Sequence, residues 1–181
     1  MATRFRRSRG GVVVTFHPDE AVVLRSLLHQ LEDMLGGDEP ETDEDIDPLA
    51  AAVGIGGADE PPADPALARL LPDAYPDDVE ASADFRRYTE LGLRERKRAA
   101  IRTALAGLAT PGARRTLGAD EAHAWLAALN DLRLVIGTRL DLREDAERDD
   151  DAMEEGDPRR TLYDVYDWLT LLQETLVRAL W

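Results

Sequence analysis

Residues 125–140 read WLAALNDLRLVIGTRL, and this spacing predicts a helix at the centre of a bundle. The surrounding segment Asp120–Leu142 fits a single helix, with Asp120 as its N-cap. One face is apolar at helical spacing: Trp125, Ala128, Leu129, Leu132, Val135 and Ile136. Because further leucines extend this face around the helix, we expect neighbouring elements on several of its sides.

The chain before this helix has helical spacing in three more segments. Pro18 begins a helix that Gly36-Gly37 ends. Its apolar stripe is Ala21, Leu24, Leu28, Leu31 and Leu35, widened by Leu27 and Met34. A short helix is predicted over Pro65–Leu71, and a long one over Val79–Ala109. The residues expected to point inward from the long helix are Phe85, Tyr88, Ile101, Leu105 and Leu108.

The two ends of the chain complete the fold. The β-prone runs Thr3–Arg7 and Gly11–Phe16 predict an N-terminal hairpin, which must lie on the helices because a lone hairpin is unstable in water. Arg160–Leu180 predicts a last helix that forms either core or a dimer seam. Its apolar positions are Leu162, Val165, Leu169, Leu172, Leu176 and Leu180. The fold class is therefore mainly α: a four- to five-helix bundle with an N-terminal β-hairpin, as a single domain over residues 1–181.

The acidity of the chain is concentrated in two segments. The formal net charge is −15, but Gly36–Ala66 holds ten acids and no base, and Glu144–Asp157 holds nine acids and one base. The rest of the chain is therefore slightly basic. Like charges repel, and the few apolar side chains bury too little surface to offset the entropy cost of ordering the chain. We therefore predict a disordered acidic insert at 36–62 and an acidic loop at 144–157. Either segment can serve solubility or attract a basic partner.

Most kinds of catalytic site are missing from the sequence. The chain has no cysteine, which excludes disulfides, thiolate metal sites and iron–sulfur clusters. The three histidines lie far apart, the acidic runs lack the glycine and closing glutamate of a calcium loop, and no serine follows a nucleophile-elbow pattern. We therefore expect no catalytic residue, no metal and no cofactor. No apolar run is long enough for a membrane span and no secretory signal is recognised, so a soluble, cytoplasmic protein is expected.

Basic residues cluster in Arg86–Arg102 against only Glu90 and Glu95. The candidate partner-binding residues are Arg86, Arg87, Arg94, Lys97, Arg98 and Arg102. This segment is either a solvated helix face or a binding surface for an acidic protein or for phosphates, and Arg4, Arg6, Arg7 and Arg9 can add to it. No recognition motif supports sequence-specific reading of nucleic acid.

Polar residues also lie among apolar neighbours on the two most apolar helices. They are Asn130, Asp131 and Arg133 on the central helix and Asp167 and Gln173 on the last. An ion pair between Arg133 and an acid of the last helix would fix the register of these helices. The alternative is that these side chains line a binding groove.

Three segments together resemble a known family. They are 64–75 with 84–90, then Trp125–Gly137, then Tyr166–Glu174. In that order they are similar to the actinobacterial family of helical proteins that includes the oxidative-stress regulator AosR. The resemblance implies a cytoplasmic, non-enzymatic regulator that contacts transcription machinery, such as a stress sigma factor, to raise sulfur-assimilation or thiol-biosynthesis genes. Redox sensing in that family uses a closely spaced cysteine pair, and this chain has no cysteine for such a switch.

Three hypotheses of function follow from these observations. The first is a regulatory protein-interaction module without a cysteine switch, with a homodimer as a further option. The second is direct DNA binding through the basic face Arg86–Arg102 and the N-terminal arm. The third is a small enzyme with an unrecognised polar site around Asn130, Asp131 and Arg133.

Overall fold

The computed structural model describes residues 3–36, 60–142 and 157–181. The elements in these ranges are β1 (Arg6–Ser8), β2 (Gly11–Val14), α1 (Pro18–Gly36), α2 (Pro65–Leu70), α3 (Val79–Gly107), β3 (Arg115–Leu117), α4 (Ala119–Arg139) and α5 (Pro158–Leu180). The mainly α bundle with an N-terminal hairpin is confirmed. Most of the predicted acidic insert (36–62) and acidic loop (144–157) lies outside the described residues, which omit 37–59 and 143–156. Of their described residues, Gly36 ends α1 and Asp157 caps α5.

Helix α4 lies at the centre of the bundle, as its apolar surface predicts. It packs against α1, α2, α3, α5 and the sheet. The residues it buries most include Ala122, Trp125, Ala128, Leu129, Leu132 and Ile136. The N-cap is Gly118 and not Asp120, because the strand before the helix ends at Leu117. The N–H of Gly118 donates to the Glu121 carboxylate at 2.9 Å, which stabilises this helix start.

Three antiparallel strands form a small sheet in the order β1-β2-β3. Arg6 lies opposite Val13, and Val13 lies opposite Thr116. The hairpin was predicted, whereas β3 was not, because its three residues have no recognisable pattern of their own. Gly11 permits the close pairing: its φ is +129°, and a Cβ there would lie 2.2 Å from the Leu117 carbonyl oxygen.

An aromatic cluster joins the sheet to the bundle. Phe16 stacks on Trp125 with ring centroids 5.0 Å apart, and Phe5 meets both rings edge-on at 5.8–5.9 Å. All three side chains are almost fully buried. The hairpin therefore lies on the helices, as expected.

The N-terminus is fixed by one carboxylate. Glu20 accepts hydrogen bonds from the Thr3 N–H and the His17 N–H, each at 3.1 Å, and from the Thr3 hydroxyl. Burial raises the pKa of Glu20, but these hydrogen bonds outweigh it and leave the pKa below its ordinary value. The ionised form therefore stabilises the fold.

We expect Glu20→Gln to destabilise the protein by about 2 kcal/mol at neutral pH, because hydrogen bonds to the charged form are lost. A lowered folded-state pKa contributes stability above the unfolded pKa, and this contribution disappears as the pH falls through the folded pKa. The difference between wild type and variant should therefore shrink in acid. Urea denaturation over a pH series measures it, and a difference that is constant with pH would contradict this role of Glu20.

The two long outer helices differ in how well their buried faces were predicted. On α5, Leu169, Leu172 and Leu176 are fully buried, so the helix is core. On α3, Ile101 is buried as expected, but Phe85 and Tyr88 are exposed, which is a correction. The residues turned inward in that half of α3 are Ser82, Arg86, Glu90 and Arg94. No helix within the described ranges is long and apolar enough to cross a membrane.

Candidate interaction surface

Helix α3 buries three charged side chains, Arg86, Glu90 and Arg94, which we call the ion cluster. Spacing of four residues puts them on one face of the helix. One oxygen of Glu90 lies 2.9 Å from Nη1 of Arg86, and the other lies 2.8 Å from Nη2 of Arg94. Each side chain is at most 5% exposed. The single carboxylate of Glu90 is thus shared between two almost fully buried cations.

The ion cluster also connects α3 to other parts of the chain. Arg86 donates to the Asp73 carboxylate and to the Leu71 carbonyl, and Arg94 donates to the Leu35 carbonyl at 2.9 Å. Burial lowers the pKa of Arg86, but its bonds to Glu90 and Asp73 outweigh this effect and raise the pKa above its ordinary value. The bonds of the cluster hold the end of α1 and the segment 71–78 against α3.

The segment 71–78 is fixed a second time at Tyr75. The Ser82 hydroxyl donates to the Tyr75 carbonyl at 2.7 Å and accepts from the Tyr75 N–H at 3.1 Å. Asp78 then caps α3 by accepting from the Ala81 N–H at 3.0 Å. These bonds fix where the Tyr75 side chain leaves the backbone.

Three exposed aromatic residues lie at this end of α3: Tyr75, Phe85 and Tyr88, which we call the aromatic patch. Tyr75 meets Phe85 edge-on with centroids 6.1 Å apart, and Tyr88 follows Phe85 at i+3. Their exposed fractions are 51%, 46% and 59%. A cavity of about 50 Å³ lies beside Phe85, lined also by Pro72 and Leu93. Residues 73–84 around the patch include five acids and no base.

The structure does not form the basic face predicted on α3. Arg86 and Arg94 are inside, so two of the six candidate residues cannot meet a partner, and the DNA-binding hypothesis loses that surface. Lys97 binds Asp131 at 2.7 Å, and Arg102 binds Glu32 and Glu95 at 3.0 Å. The neutralising groups stand largely on other helices, which is why the local sequence did not indicate them.

The two remaining candidates are partly exposed. Arg87 lies 3.4 Å from Asp84, and Arg98 is half-buried beside Gly36. Partner binding by Arg87, Lys97, Arg98 and Arg102 therefore stays a prediction, without a continuous basic surface to support it.

Asp131 of α4 pairs with α3 and not with the last helix. Asp131 is 3% exposed, and its carboxylate pairs with Lys97, whose side chain is 17% exposed. Burial raises the pKa of Asp131, and the hydrogen bond and charge of Lys97 offset only part of that rise. This pair fixes the position of α3 on α4.

Arg133 joins α4 to α5 through neutral groups. It donates to the Thr170 hydroxyl at 3.0 Å, to the Tyr166 hydroxyl at 3.2 Å and to the Gln173 amide oxygen. Gln173 in turn donates to Asn130 at 3.4 Å. The expected pairing of Arg133 with an acid of the last helix is therefore wrong, although the contact between these helices is there.

These contacts bear on the remaining hypotheses. The polar atoms of Asn130, Asp131, Arg133 and Gln173 are used in helix packing, which weakens the case for a groove or an enzyme site there. Asp167 lies exposed on α5. Within the described ranges, no group of three or more histidine, aspartate or glutamate side chains could hold a metal ion.

Comparison with known proteins agrees with the resemblance noted in the sequence. A family model described as "Domain of unknown function (DUF2017)" matches residues 2–180. The chain is 36% identical over 177 residues to the putative oxidative stress regulator AosR of Mycobacterium leprae, which covers 90% of this chain and 79% of that protein. It is 35% identical, with the same coverage, to the oxidative stress regulator AosR of Mycobacterium tuberculosis. No solved structure matches the chain.

Proposed function

The chain belongs to the family described as DUF2017, and from this membership and the geometry of α3 we propose that it regulates the response to oxidative stress by binding a protein. It acts in the cytoplasm and without catalysis of its own. Its partner is a component of the transcription machinery, with a stress sigma factor as the first candidate. The observation that supports this proposal is the aromatic patch held in place by the ion cluster.

The aromatic patch has the properties of a protein-binding surface. Tyrosine and phenylalanine are enriched in interfaces, and large exposed apolar groups that lie together mark interaction sites. Tyr75 and Phe85 contact each other, and the segment that carries Tyr75 is held by the Ser82 and Arg86 hydrogen bonds. Preorganised side chains lose little entropy on binding. The cavity beside Phe85 has room for a small apolar group of the partner.

The charge around the patch indicates the chemistry of the partner. Residues 73–84 include five acids, of which Asp73 and Asp84 pair with arginines of α3. The other three favour a basic surface with apolar anchors. Proteins that bind DNA carry such basic surfaces because they neutralise phosphates. A transcription component therefore fits the patch better than the acidic partner expected from the sequence.

We expect Phe85→Ala/Tyr88→Ala to weaken partner binding roughly 10- to 100-fold, because two interface anchors are removed. Both side chains are about half exposed, so the fold should tolerate the change. Biolayer interferometry measures it against the purified RNA polymerase core, each sigma factor of the source organism and a second copy of the chain. Each measurement is made with dithiothreitol and after diamide, and equal affinities are expected because there is no cysteine.

Trp181→Ala is the matched control, since Trp181 is 76% exposed and follows α5, outside the aromatic patch. It should leave the affinity unchanged. The proposal is overturned if no transcription component binds, or if the double variant binds as tightly as wild type.

A further inference from the structure

The outer face of the sheet carries a basic surface that the proposed function does not use. Thr3 and Phe5 are buried while Arg4 and Arg6 are exposed, as expected for an extended chain that lies with one side on the core. Arg6 lies opposite Val13, whose neighbours Val12 and Val14 point into the core. A groove of about 950 Å³ follows this face. Its lining includes Arg4, Arg6, Arg7, Val13, His17 and Arg114.

The groove is lined by bases and by no carboxylate. Arg4, Arg6 and Arg114, which we call the basic sheet face, make no ion pair with any residue in the part of the chain that the structure describes. The neighbouring Glu20 is already used by Thr3 and His17. Arg86, Arg94 and Arg102 of α3, by contrast, have acidic partners. The groove therefore brings together three arginines whose charge is not offset by an ion pair with any described carboxylate.

We propose that the basic sheet face binds the phosphate backbone of duplex nucleic acid, without reading its sequence. Arginine guanidinium groups donate to phosphate oxygens, and such contacts position a protein without specifying bases. The acids that give the chain its net charge of −15 concentrate in 36–66 and 144–157, and the rest of the chain is slightly basic.

The composition of the groove favours nucleic acid over an acidic protein. A protein interface needs large apolar or aromatic anchors at its centre. The outer sheet face offers only the half-buried Val13, because Phe5 and Phe16 point inward to Trp125. Phosphate contacts need charge and hydrogen-bond donors alone. The same lack of exposed aromatic rings leaves no stacking platform for single strands, so a duplex is the better ligand.

The test is fluorescence anisotropy with two labelled DNA duplexes of unrelated sequence, one single strand of matched length, and a series of salt concentrations. Wild type should bind both duplexes equally and more tightly than the single strand, with affinity that falls steeply between about 50 and 200 mM salt. Arg4→Gln/Arg6→Gln/Arg114→Gln should weaken duplex binding at least 10-fold at low salt. Loss of three phosphate contacts lowers the slope of log K against log salt by about 3.

The matched control is Arg69→Gln/Arg96→Gln/Arg159→Gln, which removes the same charge from exposed positions on three helices. It should keep most of the duplex affinity, and circular dichroism checks that both variants are folded. The proposal fails if wild type binds no duplex at about 50 mM salt, or if the two variants lose the same affinity. It also fails if the sheet variant binds duplex DNA as tightly as wild type but binds a protein partner more weakly, because the groove is then a site for an acidic protein.

Discussion

Replacing Glu90 with glutamine should lower the free energy of unfolding by roughly 3–5 kcal/mol, because it leaves buried positive charge without its partner. Glu90 is the only acid within the ion cluster, and both of its oxygens are used by Arg86 and Arg94. Glutamine keeps the size but removes the charge, and its amide group would point N–H donors at a guanidinium. The two arginines retain only Asp73 and backbone carbonyls.

Urea denaturation of wild type and variant measures this loss. Glu95→Gln is the matched control, because Glu95 lies on the same helix and binds Arg102, but is 60% exposed. An exposed pair of this kind contributes less than about 1 kcal/mol. Equal stability of the two variants would show that the ion cluster is not an isolated buried unit.

A second variant distinguishes the role of the ion cluster in positioning the aromatic patch from its role in the stability of the fold. Arg86→Met/Glu90→Leu/Arg94→Met replaces the whole ion cluster with apolar groups, which is often neutral or stabilising. We expect a folded protein that nevertheless binds its partner more weakly, because Arg86 no longer holds Leu71 and Asp73. Unchanged partner binding would show that Ser82 alone fixes Tyr75.

The ion cluster also shows where sequence reasoning stops. Apolar periodicity predicted α1, α4 and α5 well, because burial of leucines there needs no specific partner. On α3 the aromatic residues Phe85 and Tyr88 were placed inside and the charged residues outside. The spacing of Arg86, Glu90 and Arg94 could have indicated that they are buried, because it puts them on the same side of the helix as the buried Ile101. The pairs of Glu90 with Arg86 and Arg94 are local, but the bonds to Asp73 and to the Leu71 and Leu35 carbonyls come from outside the helix.

Two other differences between the sequence-based predictions and the structure also arise from contacts between distant parts of the chain. Strand β3 is defined by its pairing with β2, and a segment of three residues has too little pattern to predict that pairing. Arg133 was correctly placed between the last two helices, but its partners are Tyr166, Thr170 and Gln173 instead of an acid. Local sequence gives the element and its buried face, whereas long-range hydrogen bonds depend on the completed fold.

Trp125→Ala should destabilise the protein by about 3–5 kcal/mol, the range for a large aromatic side chain removed from a core. Trp125 is 1% exposed, stacks on Phe16 and contacts Phe5, so its loss leaves a cavity between the sheet and α4. Gly107 of α3 packs so closely against the indole that a Cβ there would lie 3.0 Å away, and it has no side chain to fill the space. Thermal and urea unfolding measure the loss.

Trp181→Ala is the control here as well, since an exposed tryptophan of the same size should have an effect within about 0.5 kcal/mol. The position of Trp125 predicts a local signature besides the global loss. Because its ring supports β2, amide hydrogen exchange at Val12 and Val14 should accelerate more than exchange at Leu172 of α5. Uniform acceleration across the chain would mean that the sheet and the helices open together, and that Trp125 does not hold the sheet as a separate unit.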